Sequence, residues 1–126
     1  MTKRFTRSIK SALSGFRHVL VFELSFKIMC VIALAVVGAM LYFPTSRTEK
    51  AILLVMIFSV LVLELVNSVI ERVIDFVHIG HHDKIREIKD LMASIVLVVS
   101  LAAASIGILI FWPYAKFLLG PFFGVK

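Results

Sequence analysis

The sequence has little cysteine, little proline and few charged residues. Its single cysteine, Cys30, excludes an intrachain disulfide, and because Cys30 lies in an apolar run we expect it to pack as a small hydrophobe. Only 17% of the residues are charged, 60% are hydrophobic, and the mean hydropathy is +1.01. This balance excludes an ordinary soluble globule and predicts a membrane protein.

Sequence motifs of soluble nucleotide and metal enzymes are also missing. The chain has neither a G-x-x-x-x-G-K-[ST] loop nor a kinase glycine-rich loop. His78, His81 and His82 lie close together but have no cysteine partner, so solvated or phosphate-contacting histidines are expected rather than a zinc site. The net charge of +6 comes from basic residues beside apolar segments, which favours anionic lipid headgroups over nucleic acid as the partner.

Three long apolar runs predict three transmembrane helices. A hydrocarbon core of about 30 Å needs roughly 20 helical residues, and only helices satisfy their own backbone hydrogen bonds in lipid. We place the spans at about residues 26–43, 50–71 and 90–112. Trp112 and Tyr114 are expected to end the third helix at the membrane interface.

The segment before the first span has a different pattern. Over residues 5–22, apolar side chains recur at helical spacing while basic and small polar ones occupy the other faces. This predicts an amphipathic helix on the membrane surface, with a flexible basic leader as the alternative. The expected fold is therefore an all-α integral membrane protein, with residues 1–126 forming one domain.

The distribution of basic residues predicts the orientation. Most of the 14 lysines and arginines precede the first span or lie between Arg72 and Lys89, and few lie in the first loop or the tail. By the positive-inside rule, the N-terminus and the 72–89 segment face the cytoplasm, which places the chain in the cytoplasmic (inner) membrane as a multi-pass protein.

Polar residues interrupt the second span. Glu64, Asn67 and Glu71 share one helix face, and Asp75 lies one turn further. An ionised group at the centre of a bilayer costs about 2.5–3.5 kcal/mol, so such a face predicts a function. Three explanations remain open from the residues alone: hydrogen bonding between helices, a proton relay in a small transporter, or phosphoryl transfer with carboxylate-bound Mg²⁺.

The polar face belongs to a longer motif that resembles a known family. Residues 64–75 read E-x-x-N-S-x-x-E-x-x-x-D, and Lys89-Asp90 follows after an interval of about 13 residues. This pattern resembles the signature of the small prokaryotic diacylglycerol kinases, a family that also contains undecaprenol kinases. Phe5-Thr6-Arg7 and Glu23-x-x-Phe26-Lys27 are similar to the family's surface helix and to its approach to the first span.

The resemblance implies a homotrimeric bundle of three-span subunits whose active sites are shared between neighbours, with ATP and Mg²⁺ as cofactors. By position, Glu64 matches the catalytic base and Asn67 an active-site amide. Glu23 and Glu71 match the metal-binding acids. The positions that match nucleotide contacts are Arg7, Asp75, His82, Lys89 and Asp90.

The chain departs from the family pattern at several positions. Met29 replaces an acid, Val69 and Arg72 replace alanines, and Met92 begins a segment that usually carries small residues. These departures leave the reaction class unchanged and concern lipid selectivity and helix packing. The expected function is ATP-dependent phosphorylation of a membrane lipid hydroxyl, with diacylglycerol preferred to undecaprenol. The alternative from another class is a non-enzymatic proton-coupled transporter or subunit.

Overall fold

The computed structural model describes residues 2–77 and 83–123, and these are almost entirely helical. The helices are α1 (Thr2–Phe22), α2 (Leu24–Tyr42), α3 (Arg47–Val77) and α4 (Asp83–Phe123). Of these, α2, α3 and α4 are long and apolar enough to cross a membrane. The three predicted spans are thus confirmed as long apolar helices, and the segment predicted as a surface helix falls within α1.

Helix α3 is the central element, since it packs against both α2 and α4. The buried hydrophobic core is small: Val19, Phe26, Met40, Leu53 and Val60. Most other large apolar side chains are exposed, as expected for helices whose outer faces contact lipid rather than each other. Phe26, fully buried, packs edge-to-face on Phe16 with ring centroids 5.4 Å apart, which joins α1 to the start of α2.

Only one residue separates α1 from α2. Glu23 has an extended backbone (φ −107°, ψ 115°) and is the N-cap of α2, yet its side chain makes no capping hydrogen bond. The carboxylate points instead toward α3. This break places the side chains of the first turn of α2 beside the polar face of α3.

The turn between α2 and α3 is closed by side chains. The Thr45 hydroxyl donates to the Met40 carbonyl (3.0 Å), satisfying an acceptor left unpaired at the end of α2. Ser46 and Glu49 form a capping box: the Ser46 amide donates to Glu49 Oε2 (2.7 Å) and the Glu49 amide to Ser46 Oγ (3.2 Å). Residues 46–49 read S-x-x-E, which is the sequence signature of this box.

Helix α4 is longer than its predicted span. It does not end at Trp112 and Tyr114, as expected, but continues through Pro113 to Phe123. A proline is tolerated in such a helix because neighbouring groups can satisfy the carbonyl that it leaves unpaired. The Tyr114 hydroxyl donates to Glu49 Oε2 (3.0 Å), so α4 is tied to the capping box at the start of α3.

The predicted 72–89 loop is also shorter than expected. Arg72 lies in α3 and Lys89 in α4, because both helices extend past the spans assigned to them. His78, His81 and His82 fall outside the described residues.

Candidate active site

The polar face of α3 runs from a buried end to an exposed end. Glu64 and Ser68 are 4% and 1% exposed, Asn67 is half-buried, and Glu71 and Asp75 are exposed. Residues 51–71 span about 30 Å at about 1.5 Å per residue, close to the thickness of a hydrocarbon core. Glu64 lies seven residues before Glu71, about 10 Å along the helix axis, and level with the first turn of α2 through Ser25.

Glu64 is paired with a hydroxyl. Ser25, on the first turn of α2, lies 3.0 Å from Oε1 and 3.0 Å from Oε2 of Glu64, so its hydroxyl donates to either oxygen. Across this distance between two oxygens, a general base can remove the proton of a hydroxyl group. Ser25 itself is exposed, although Glu64 is not. The site therefore holds an accessible hydroxyl against a buried carboxylate.

Glu23 bridges the α1–α2 break to α3. The Ser68 hydroxyl donates to Glu23 Oε2, and Arg72 Nη2 donates to Oε1 at 2.9 Å. Burial acts to raise the pKa of Glu23, but the hydrogen bonds from Ser68 and Arg72, with the positive charge of Arg72, outweigh it. The pKa of Glu23 therefore lies below its ordinary value of 4.5.

The two acids predicted to bind metal have different partners. Glu71 accepts a hydrogen bond from Asn67 Nδ2 (3.4 Å), whereas Glu23 is held by Ser68 and Arg72. Within residues 2–77 and 83–123, no group of three or more His, Cys, Asp or Glu side chains is arranged to hold a metal ion. Mg²⁺ commonly uses only one or two carboxylates together with substrate phosphates, so the exposed Glu71 fits that chemistry. Glu23 fits it only once Arg72 has moved away.

Three of the predicted nucleotide-binding residues lie near the end of α3 and the start of α4: Asp75, Lys89 and Asp90. Lys89 Nζ on α4 pairs with Asp75 Oδ1 on α3 at 2.9 Å. Asp90, the next residue, lies 3.9 Å from Arg86 Nε on the exposed side of α4. Arg7 is exposed on α1, and no contact in the described part of the chain brings it to these residues. His82 lies outside the described residues.

Two contributors were missed by the sequence reasoning. No sequence motif marks Ser25, because a serine in an apolar segment is most simply explained by a hydrogen bond within its own helix. From the sequence, Arg72 stands out as a replacement for alanine and as a basic residue that sets the orientation, but not as a partner of Glu23. Its spacing of four and eight residues from Ser68 and Glu64 indicated a shared helix face, but its partner on another helix could not be deduced.

An apolar cavity opens beside the buried end of the polar face. It has a volume of about 570 Å³ and lies between α2, α3 and α4. Met29 and Leu61 line its end nearest Glu64, and Phe111 lines the far end. Leu61 is one helical turn from Glu64, so the cavity leads from the carboxylate toward the opposite side of the membrane.

Long apolar helices with a buried carboxylate, and with basic and acidic groups at one end, define a polytopic membrane protein with a polar site near one surface. The sequence profile of the prokaryotic diacylglycerol kinase family matches residues 10–111. The chain belongs to this family and is a lipid kinase of the membrane. A search of curated proteins gives no match to it.

Proposed function

We propose that this chain transfers the γ-phosphate of ATP to the hydroxyl of diacylglycerol, forming phosphatidic acid at the cytoplasmic face of the membrane. The observation that carries this proposal is the Ser25–Glu64 geometry, in which a buried carboxylate holds a hydroxyl at 3.0 Å. A lipid hydroxyl that replaces Ser25 at Glu64 gains the same hydrogen bond. Glu64 then accepts the proton as the hydroxyl oxygen attacks the γ-phosphorus.

The polar residues above Glu64 are assigned to the phosphates. Asn67 donates to Glu71 and holds that carboxylate at the boundary of the hydrocarbon core. We assign Glu71, and Glu23 once it has released Arg72, to Mg²⁺. When bound, the ion neutralises charge on the phosphate oxygens.

We assign the nucleotide to the cytoplasmic ends of α3 and α4. Lys89 carries a positive charge at this end of the polar face, and its bond to Asp75 fixes its position. Stabilisation of charge on a transferred phosphoryl group depends on such fixed cations. Asp90, Arg7 and His82 are assigned to the nucleotide on the family resemblance.

The cavity supplies a place for the hydrocarbon part of the substrate. Its lining is apolar and its near end lies one turn from Glu64, so a lipid tail in the cavity can present its headgroup hydroxyl to the carboxylate. Burial of hydrocarbon there is favourable by about 0.8 kcal/mol per methylene relative to water, and near zero relative to lipid. The cavity therefore orients the lipid rather than concentrating it.

We further propose the arrangement in the membrane. The N-terminus and the α3–α4 connection face the cytoplasm, α1 lies on the membrane surface of the bacterial inner membrane, and three copies form a homotrimer. The basic residues within α1 and at the start of α4 support the orientation.

The decisive experiment is Glu64→Gln, which keeps the shape and removes the base. We expect phosphorylation of diacylglycerol to fall by about 10²-fold or more, because general-base catalysis contributes about 10²–10⁴-fold. The matched control is Glu87→Gln, which removes an exposed carboxylate from α4 and is expected to keep full activity.

The same assay decides the substrate. Diacylglycerol and undecaprenol are supplied in parallel to wild-type protein in mixed micelles, with ATP and Mg²⁺. A higher kcat/KM for diacylglycerol supports the proposal, and a higher value for undecaprenol overturns the substrate assignment. Full activity in Glu64→Gln overturns the role of the base.

A further inference from the structure

Ser25 occupies the position that the proposed mechanism gives to a substrate. Its hydroxyl lies 3.0 Å from both oxygens of Glu64, on a side chain that is itself exposed. A hydroxyl within hydrogen-bond reach of a base is the arrangement by which serine becomes a nucleophile. The reacting group of the lipid and the side chain of Ser25 therefore compete for one place.

Other serines lack one of these features or lie away from the polar site. Ser46 is exposed and paired with Glu49, but it lies at the opposite end of α3 from Glu64. The hydroxyl of Ser100 is buried and has no hydrogen-bond partner among the described residues. Ser8, Ser59, Ser94 and Ser105 donate to backbone carbonyls four residues earlier, and none of them is bonded to a carboxylate. Ser68 donates to Glu23, but it is only 1% exposed. Ser25 combines a carboxylate partner with access for a phosphate.

The surroundings of Ser25 also suit a phosphoryl group. Ser25 lies in the first turn of α2, where backbone amides have no partner within the helix, and the N-cap side chain of Glu23 does not cap them. Such amides stabilise phosphate oxygens.

We propose that Ser25 is an autophosphorylation site, to which this kinase transfers the γ-phosphate of ATP when no lipid hydroxyl occupies Glu64. In this step Ser25 Oγ forms a bond to the γ-phosphorus, and the bond from that phosphorus to the β–γ bridging oxygen breaks. ADP leaves, and the serine proton passes to Glu64 and then to water. The products are phosphoserine, ADP and a proton.

This inference rests on the proposed role of Glu64, and it makes lipid an inhibitor of the modification. A lipid hydroxyl bound at Glu64 displaces Ser25 from the base. Autophosphorylation is therefore expected in protein without lipid substrate and is expected to stop when diacylglycerol saturates the site.

The test uses full-length protein in a zwitterionic detergent without hydroxyl groups, so that the detergent cannot accept phosphate. The protein is incubated with radiolabelled ATP and Mg²⁺, and the modified residue is located by mass spectrometry of its peptides. We expect phosphoserine at residue 25, and a label that falls at least about 10²-fold in Glu64→Gln.

Variants of serine separate the proposal from loss of fold. Ser25→Ala is expected to lose the label, while Ser25→Thr keeps a hydroxyl and is expected to carry phosphothreonine. Ser94→Ala removes an exposed serine without a carboxylate partner, so its label and its lipid kinase activity are expected to match those of the wild type.

Different experimental results would overturn the inference and the proposed function. Wild-type protein that phosphorylates lipid but carries no phosphate on Ser25 overturns the inference alone. A label that survives in Ser25→Ala, or that is unchanged by saturating diacylglycerol, also overturns it. Lipid phosphorylation that persists in Glu64→Gln overturns the assigned base instead.

Discussion

Arg72 is the ion-pair partner of Glu23, one of the two acids that we assign to Mg²⁺. The guanidinium occupies Oε1 of Glu23, an oxygen that is otherwise available to a cation. Both side chains are partly exposed, at 47% and 25%, so the pair adds little to stability, of the order of 0–1 kcal/mol. Its larger effect is on what Glu23 can bind.

We therefore expect Arg72→Ala to reduce the Mg²⁺ concentration needed for half-maximal lipid phosphorylation. Removal of a positive charge about 4 Å from a cation site in a water-like medium is worth about 1 kcal/mol, or roughly a fivefold change. Magnesium titration of activity measures the change. Arg47→Ala, which removes an exposed arginine at the other end of α3, is the control and should leave the requirement unaltered. An increased requirement in Arg72→Ala would show that Arg72 assists the metal instead.

The lowered pKa of Glu23 gives a pH dependence with a definite sign. Because its pKa is lower in the folded protein than in the unfolded chain, its bonds to Ser68 and Arg72 stabilise the fold above pH 4.5. That contribution is lost as the pH falls through the folded-state pKa. The difference in thermal midpoint between wild type and Glu23→Gln should be present above pH 4.5 and should shrink as the pH falls through the folded-state pKa. A difference that grows on acidification would contradict this cause.

At the scale of the helices, side chains at the turn between α2 and α3 hold α4 against α3. Ser46 caps α3, Glu49 accepts from Ser46 and Tyr114, and the Phe43 ring packs on the Tyr114 ring with centroids 5.6 Å apart. These contacts lie on the opposite side of the membrane from the polar site. They should therefore affect stability without affecting catalysis.

Ser46→Ala removes the cap and should lower the free energy of unfolding in detergent micelles by about 0.5–2 kcal/mol. Tyr114→Phe keeps the ring packing and removes one hydrogen bond, so about 0.5–1.5 kcal/mol is expected. Tyr42→Phe is the matched control, because Tyr42 is 74% exposed and its hydroxyl makes no hydrogen bond with the described residues. Equal losses in all three variants would show that the network does not hold the turn.

The helices were predictable from the sequence because lipid imposes few alternatives on a long apolar run. Their ends were not, because polar residues at an interface, such as Asp75 in α3, continue a helix as readily as they end it. Within the site, Glu64, Asn67 and Glu71 could be found from spacing along one helix. The pairing of Ser25 with Glu64 and of Arg72 with Glu23 depends on how α2 packs on α3, which no spacing within one helix specifies.

On the scale of the whole molecule, the orientation determines whether the site can use ATP. The polar end of α3, the Lys89–Asp75 pair and most basic residues lie on one side of the three spans, and the capping box lies on the other. ATP is available to the site only if the first side is cytoplasmic. The positive-inside rule favours that orientation.

The orientation can be tested with single thiols, since Cys30 is the only cysteine. In a Cys30→Ala background, Thr48→Cys places a thiol in the first turn of α3, and Lys84→Cys places one at the start of α4. A membrane-impermeant maleimide added to intact spheroplasts should label Thr48→Cys and should reach Lys84→Cys only after lysis. The reverse pattern would invert the proposed topology.

The burial of Glu64 has a consequence for the end of the reaction. Under the proposed function, a neutral hydroxyl reaches a carboxylate that is 4% exposed and becomes a phosphate that carries negative charge. Once Glu64 has passed the accepted proton to water, its carboxylate repels the phosphate, so the product is favoured at the headgroup surface, where water solvates its charge. Release of the product thus needs no separate conformational step, because the reaction adds to the lipid a negative charge that the carboxylate repels.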